Sequence, residues 1–260
     1  MQQIFAIALA AMQQDMARVN SIAGNLANVS TPAYKREIVA ARPFVDVLDD
    51  AARVSGSSGG PGSLGSAAAS MAVMLDSRPG TLKSTGQALD VAITGDGFFE
   101  VNTESGPAYT RQGNFRVDAR GRLVTAQSEP VMGKGGEIYL TTQTPVIDEA
   151  GNITEPQATS GPSAAAPGTP VAQLKLTSVD KPGEMQRLGN GLLTGGGAAT
   201  PIDDANVHLR QGALENANVS SMQEMVQLIQ TMRHFESMQK TAQGYDEMVG
   251  TAVRKLGDLS

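Results

Sequence analysis

Apolar residues recur at spacings of three and four at both ends of this 260-residue chain. Near the N-terminus the series comprises Phe5, Ala8, Met12, Met16, Val19, Ala23 and Leu26. Near the C-terminus it comprises Met222, Met225, Ile229, Met232, Phe235, Met238, Ala242, Tyr245, Val249, Ala252 and Leu256. Such spacing places side chains on one stripe of an α-helix. It predicts one helix over about residues 3–28, before Pro32, and a longer C-terminal helix with a coiled-coil-like seam.

The apolar period changes between the two ends. From residue 81 to about residue 140, short apolar runs such as residues 89–93 and 98–101 alternate with glycine-containing turns. This alternation is typical of a β domain of short strands, and residues 171–179 and 192–202 predict further strands. The expected fold class is therefore α+β. Long N- and C-terminal helices would pack as a coiled-coil-like assembly domain, with a central mostly-β domain.

The same patterns divide the chain into four expected segments. Residues 1–36 form an N-terminal assembly helix with the turn that follows it, and residues 37–79 form a Gly/Ser/Ala-rich linker. Residues 80–210 form the central β domain, and residues 211–260 form the C-terminal assembly helix. Two low-complexity stretches, residues 55–70 and 158–170, are expected to be loops, because small side chains cannot offset the entropy lost on ordering.

Composition and charge argue against several functional classes. The net charge of −6 disfavours a nucleic-acid partner, and the aromatic content of 4% disfavours a large pocket for a small-molecule substrate. Cysteine is absent, and His208 and His234 stand far apart, so no metal or cofactor site is expected. An enzyme would need a carboxylate pair such as Asp90 and Asp96, but Asp at strand ends commonly serves in turns. We expect no enzymatic activity.

The apolar run at residues 4–12 contains an Ala-x-Ala triplet but has no basic residue before it, since the first is Arg18. A cleaved signal peptide would carry basic residues ahead of its apolar stretch. We therefore expect that this segment is not a cleaved signal peptide. No apolar run reaches the length of about 18 residues that a membrane span requires.

Three blocks in order resemble one known family. The segment Asn25-Leu-Ala-Asn-Val-Ser-Thr-Pro-Ala-Tyr-Lys-Arg36 is similar to the N-terminal signature of flagellar basal-body rod and hook proteins. Gly24 and Ala33 replace the Asn and the Gly of that signature, and the second change affects a turn where only Gly enters positive φ freely. Residues 80–101, 108–115 and 118–125 resemble the central block of the family, and residues 211–219 and 224–240 resemble its C-terminal signature.

The resemblance implies a structural subunit of the basal-body rod, which crosses the periplasm, assembles axially through its terminal helices and helps transmit torque. Its implied partners are other copies of itself, neighbouring rod or hook proteins, and the flagellar type III export apparatus. The block over residues 130–138 favours a proximal-rod type over a distal-rod type. The alternative is a secreted β-domain adhesin or surface protein whose N-terminal signal is removed.

The expected assembly interface joins the two apolar stripes with two amides of the signature. Asn28 either closes the first helix alone or also docks a neighbouring subunit. The candidate interface residues are Phe5, Met12, Met16, Val19, Asn25, Leu26, Asn28, Met222, Met225, Ile229, Met232, Phe235, Tyr245, Val249 and Leu256.

Overall fold

The computed structural model describes residues 2–41, 71–155 and 170–257. The predicted loop at residues 55–70, and the predicted loop after residue 157 as far as residue 169, lie outside the described residues. The chain forms two compact units. The helical unit comprises Met1–Ala27, Glu37–Met74 and Ser220–Ser260, and the β unit comprises Asn28–Arg36 and Leu75–Val219.

Two helices that contact each other make up most of the helical unit: α1 (Gln2–Ala27) and α2 (Ser221–Gly257). Strands β1 (Glu37–Ala41) and β2 (Met71–Leu75) pair in a two-stranded sheet. The α2 helix begins with the Glu224 amide donating to the Ser220 carbonyl at 3.0 Å. Neither helix, over its described residues, is long and apolar enough to cross a membrane.

The expectation of terminal helices packed as a coiled-coil-like assembly domain is wrong. Met222, Met225, Ile229 and Met232 of the predicted seam are exposed, while Glu224 on the opposite side of the α2 helix is buried. The seam contains three consecutive three-residue steps after Ile229, and each step turns it by about 60° around a straight helix of 3.6 residues per turn. The apolar series therefore winds around α2 and does not follow one seam.

The predicted stripe of α1 also fails to form a continuous seam. The buried side chains of the described part of α1 are Asp15, Ile22 and Asn25, whereas Met16 is exposed. Two of these three buried residues are polar. Contact between α1 and α2 therefore depends on polar groups as well as apolar ones, which the period of the apolar residues does not reveal.

The β unit fits the expected mostly-β central region. Its strands are β3 (Leu82–Ser84), β4 (Val91–Ile93), β5 (Phe98–Thr103), β6 (Gly106–Thr110), β7 (Arg116–Val117), β8 (Leu123–Val124), β9 (Met132–Gly133), β10 (Gly136–Glu137), β11 (Val146–Ile147), β12 (Asn152–Thr154), β13 (Pro170–Gln173), β14 (Leu176–Val179), β15 (Met185–Gly189), β16 (Leu192–Gly195), β17 (Ala199–Pro201), β18 (Leu209–Gln211) and β19 (Ala213–Glu215). Two 3-10 turns, Pro182–Glu184 and Asp204–Asn206, lie between them.

Six of these strands form an antiparallel sheet in the order β15-β16-β6-β5-β14-β17. A three-stranded sheet has the order β11-β12-β13, and the remaining strands pair as β3 with β19, β4 with β18, β7 with β8, and β9 with β10. The last two strands of the β unit therefore pair with its first two. This pairing brings residues 209–215 beside residues 82–93.

Apolar side chains fill both faces of the six-stranded sheet. Phe98 and Phe99 are successive residues of β5 and therefore point to opposite faces. Phe99 enters the main core and meets Phe115 edge-on, with ring centroids 5.0 Å apart. Phe98 packs in a second cluster with Val179 and Met185. This burial gives the β unit an apolar core of its own.

The segment boundaries stay a prediction, although the structure adds detail to them. Strands β1 and β2 stand at the two ends of the segment expected to be a linker. Residues 28–36 and 211–219, which the sequence analysis attached to the terminal helices, belong to the β unit.

Candidate assembly interface

The structure places the predicted interface residues in three different environments. Asn25 is buried, and Met12, Val19, Leu26, Asn28, Phe235 and Tyr245 are half-buried. Met16, Met222, Met225, Ile229 and Met232 are exposed. Phe5, Val249 and Leu256 lie within the helices, but their side chains are outside the described ones. Their joint role in an interface stays a prediction.

Exposed apolar side chains share one face of the first three turns of α2. We call this set the methionine face: Met222, Met225, Val226, Ile229 and Met232. Met222 is 77% exposed and the other four are each about half exposed. Their spacing of three and four keeps them on the side of α2 opposite the buried Glu224. A contiguous exposed apolar face of this kind is typical of an interaction surface.

Asn25 ties the end of α1 to two other elements of the helical unit. Its Oδ1 accepts from the Glu37 amide at 2.8 Å, and its Nδ2 donates to the Glu37 carbonyl at 2.9 Å. The same Nδ2 also donates to Glu224 Oε2 at 3.3 Å. The side-chain amide therefore pairs with a β1 residue as a neighbouring strand would, and it reaches the first turn of α2. Sequence reasoning selected Asn25 but did not anticipate either partner.

A second polar contact joins the middle of the two helices. His234 Nδ1 lies 2.6 Å from Asp15 Oδ2, and the Asp15 side chain is 3% exposed whereas that of His234 is 51% exposed. The sequence analysis treated His234 as a lone residue, because nothing in the spacing connects it with a residue more than two hundred positions earlier.

The signature segment after α1 forms a tight turn within the β unit. The Thr31 amide donates to the Asn28 carbonyl at 3.0 Å, and Thr31 Oγ1 donates to Asn28 Oδ1 at 3.1 Å. These bonds form a turn directly after α1. Whether Asn28 closes the helix alone or also docks a neighbour stays a prediction. Ala33 has a φ of 53°, so the position where the family has Gly does adopt the left-handed region.

Sequence reasoning missed a buried ion pair next to this turn. Lys35 Nζ donates to Glu215 Oε1 at 2.8 Å, and these side chains are 4% and 1% exposed. Burial lowers the pKa of Lys35, and the Glu215 carboxylate opposes that shift. Lys35 and Glu215 both stand in the blocks that resemble the family, but nothing in the sequence pairs two residues 180 positions apart.

Several carboxylates of the β unit, among them Asp90 of the pair that an enzyme would need, have structural partners. Asp90 Oδ2 accepts from Thr85 Oγ1 at 2.6 Å, and Glu100 pairs with Lys175 at 2.8 Å. Asp118 accepts from the amides of Arg122 and Arg120, which lowers the pKa of Asp118. Among the described residues, no group of three or more acidic or histidine side chains is arranged to hold a metal.

A cavity of about 250 Å³ in the β unit is lined in part by Phe98, Arg111 and Val179. Arg111 Nε donates to the Gly97 carbonyl at 3.0 Å, and Nη2 donates to the Gly95 carbonyl. The guanidinium therefore supports the turn before β5.

Comparison with known protein families gives matches to two regions. Residues 92–169 match the flagellar hook protein FlgE/F/G D1 domain, and residues 210–255 match the flagellar basal body rod FlgEFG protein C-terminal domain. The flagellar basal-body rod protein FlgF of Salmonella typhimurium is 33% identical over 254 residues, which cover 94% of each chain. The chain belongs to the flagellar basal-body rod protein family.

Two further relatives of this rod protein carry different names within the family. FlgF of Escherichia coli is 33% identical over 259 residues, and FlgG of Bacillus subtilis is 30% identical over 256 residues. Each comparison covers at least 93% of both chains. The similarity therefore extends through the helical unit and the β unit.

Family membership makes this rod protein a structural subunit of the flagellar basal-body rod, which serves motility. It implies association with other proteins of the flagellar axial structure. It is consistent with the absence of enzymatic activity expected from the sequence, and no comparison supports the adhesin alternative.

Proposed function

We propose that this rod protein assembles axially through its helical unit, with the methionine face of α2 as the main contact between subunits. The supporting observation is the exposure of five apolar side chains on a helix that contacts α1 and whose buried residue among the described ones, Glu224, lies on the opposite side. Copies of this chain and neighbouring rod or hook proteins cover the methionine face in the assembled rod. Burial of its apolar side chains then drives assembly.

The remaining parts of the proposal follow from the family resemblance. The block over residues 130–138 favours a proximal-rod type. The relatives include both FlgF and FlgG proteins at similar identity, so they do not separate the two types. The subunit crosses the periplasm in the rod, helps transmit torque, and reaches its place through the flagellar type III export apparatus without cleavage of a signal.

The test is the substitution Ile229→Asp, at a side chain that is 53% exposed on the methionine face. In the isolated chain this change should lower the free energy of unfolding by only about 1 kcal/mol, because about half of the side chain is already in solvent. In the rod it would bury a carboxylate without a partner, so incorporation and swimming should be lost.

The matched control is Gln230→Asp, one residue further along α2 on an exposed position outside the methionine face. Both variants add the same charge to the same turn, and export of both is monitored so that only assembly is compared. Normal rod incorporation of Ile229→Asp at an equal exported level would exclude the methionine face as an assembly contact.

A further inference from the structure

The chain passes between the helical unit and the β unit four times. The residues at the β-unit end of each passage belong to one hydrogen-bonded cluster. The crossings fall after residues 27, 36, 74 and 219. Their β-unit ends belong to residues 28–36, residues 75–80 and residues 215–219. We call the hydrogen-bonded set formed by residues 28–36, 76–80 and 215–218 the crossing cluster.

Backbone hydrogen bonds join the three segments of the crossing cluster directly. The Ala33 amide donates to the Glu215 carbonyl at 2.7 Å, and the Asn218 amide donates to the Tyr34 carbonyl at 3.2 Å. The Asp76 amide donates to the Arg36 carbonyl at 2.8 Å. Each segment that leads to the helical unit is therefore bonded to another such segment.

Asn218 connects all three segments with its side chain. Its Oδ1 accepts from the Arg36 amide at 2.7 Å. Its Nδ2 donates to the carbonyls of Asp76 and Arg78, each at 2.9 Å. One amide thus satisfies backbone groups on two segments while its own backbone belongs to the third.

The Lys35–Glu215 ion pair lies at the centre of the crossing cluster. Lys35 Nζ also donates to the Arg78 carbonyl at 2.9 Å, and Glu215 Oε1 also accepts from the Gly80 amide at 2.7 Å. Glu215 Oε2 lies 3.6 Å from Arg111 Nη1. The pair therefore contacts every segment of the cluster and connects it to the turn that Arg111 supports.

Close packing keeps the three segments of the cluster in place. A Cβ added at Gly80 would lie 1.9 Å from the Asn216 carbonyl oxygen, so only Gly allows this approach. On residues 28–36, the Arg187 guanidinium lies 4.1 Å from the ring centroid of Tyr34, and its Nη2 donates to the Lys35 carbonyl at 2.8 Å. The side chain of Arg187 therefore fixes this segment from the side of β15.

We propose that the crossing cluster resists mechanical force. In this role, which we call the clasp, the buried Lys35–Glu215 pair keeps the three segments bonded to one another when force acts between the ends of the chain and the β unit. Any tension carried by the covalent chain enters the β unit through these crossings. Without the clasp, the hydrogen bonds that attach residues 28–36 and 215–219 to the β unit would break one after another. With it, several bonds and an ion pair must break together.

The clasp would give the torque-transmission role of the proposed function a physical basis, and in that respect it rests on the proposed function. Its mechanical property, however, belongs to the isolated chain and is measured there. The two ideas therefore fail separately.

The experiment pulls the full chain by residues 1 and 260 at constant force in a single-molecule instrument. Once the helices separate, tension acts on residues 28 and 219 and hence across the crossing cluster. Lys35→Met keeps most of the side-chain length but removes the nearer of two cations and leaves Arg111, 3.6 Å away, beside the buried Glu215. This loss should raise the rupture rate of the β unit by at least about tenfold. Glu215→Gln should act in the same direction while keeping an oxygen acceptor for the Gly80 amide.

The matched control is Lys181→Met, which removes a lysine from the exposed Lys181–Glu184 pair of the same unit. That variant should change the rupture rate by less than about twofold, since exposed pairs contribute little. If both Lys35→Met and Glu215→Gln rupture at the rate of Lys181→Met, the clasp is refuted. If Lys35→Met does not fold, Glu215→Gln alone decides the matter in the same way.

Hydrogen exchange of the native chain gives a second readout that needs no substitution. The amides of Ala33 and Gly80 should exchange as slowly as those of β5, because the cluster opens only when the β unit unfolds. Fast exchange at these two amides beside a protected β5 would also overturn the proposal. Normal rod incorporation of Ile229→Asp would instead count against the proposed function, and it would leave the rupture rates that test the clasp unchanged.

Discussion

Replacing Asn25 by Ala tests the polar contact that joins α1, β1 and α2. The substitution removes at least three hydrogen bonds, two with the Glu37 backbone and one with the Glu224 carboxylate. Asn25 is fully buried, whereas Glu37 is only half-buried, so water compensates part of the loss at Glu37. The change acts on the helical unit alone.

The expected magnitude follows from these partners. A neutral hydrogen bond contributes about 1 kcal/mol and one to a charged group about 1.5–3 kcal/mol, which together give roughly 3.5–5 kcal/mol. Ala favours the helix over Asn by about 0.6 kcal/mol, and hydration of Glu37 recovers some of the rest. Asn25→Ala should therefore lower the free energy of unfolding by about 2–4 kcal/mol. Asn25→Asp should cost more, because its carboxylate would face that of Glu224.

The assay is urea denaturation of the full chain followed by the helical circular dichroism signal. The control is Asn20→Ala, at an exposed position on the same helix, which should raise stability by about 0.5 kcal/mol through helix propensity alone. If Asn25→Ala and Asn20→Ala differ by less than about 0.5 kcal/mol, the three hydrogen bonds do not stabilise the helical unit and the reasoning fails.

Three further outcomes are expected. His234→Ala removes the hydrogen-bonding partner that the structure gives the buried Asp15, so it should lower the free energy of unfolding by about 1–3 kcal/mol. Arg233→Ala, at an exposed position, should change the free energy of unfolding little, and equal effects of the two variants in denaturation would contradict this. Ala33→Gly should raise the free energy of unfolding by about 1 kcal/mol, and with it the thermal midpoint, because Gly adopts a φ of 53° without strain. A lower midpoint would show that the turn is not strained. Lys35 has a lowered pKa in the folded chain, so the unfolded chain binds more protons between that pKa and 10.5, and stability should rise with pH in this window. Subtracting the pH profile of Lys35→Met isolates this contribution from other groups, and a difference that does not change with pH would refute it.

The sequence by itself determined the presence of two terminal helices and a mostly-β centre. Residues 2–27 carry apolar side chains at helical spacing and stop short of Pro32, and the strands of the centre are separated by Gly-containing turns. These are local properties, set by the backbone preferences of neighbouring residues. The three ordered signature blocks likewise led to the family, because a resemblance needs only the order of residues.

Only the tertiary structure decided which face of each helix is covered and which polar residues meet. The three-residue steps after Ile229 already turn the apolar series around α2, but the series does not show which side of the helix is covered. Asn25 with Glu224, Asp15 with His234, and Lys35 with Glu215 are each separated by at least 180 positions. Their pairing requires the two ends of the chain to return to the same place, and a buried polar residue looks the same in a sequence as an exposed one. The distant partner that makes its burial tolerable becomes visible only when the fold has formed.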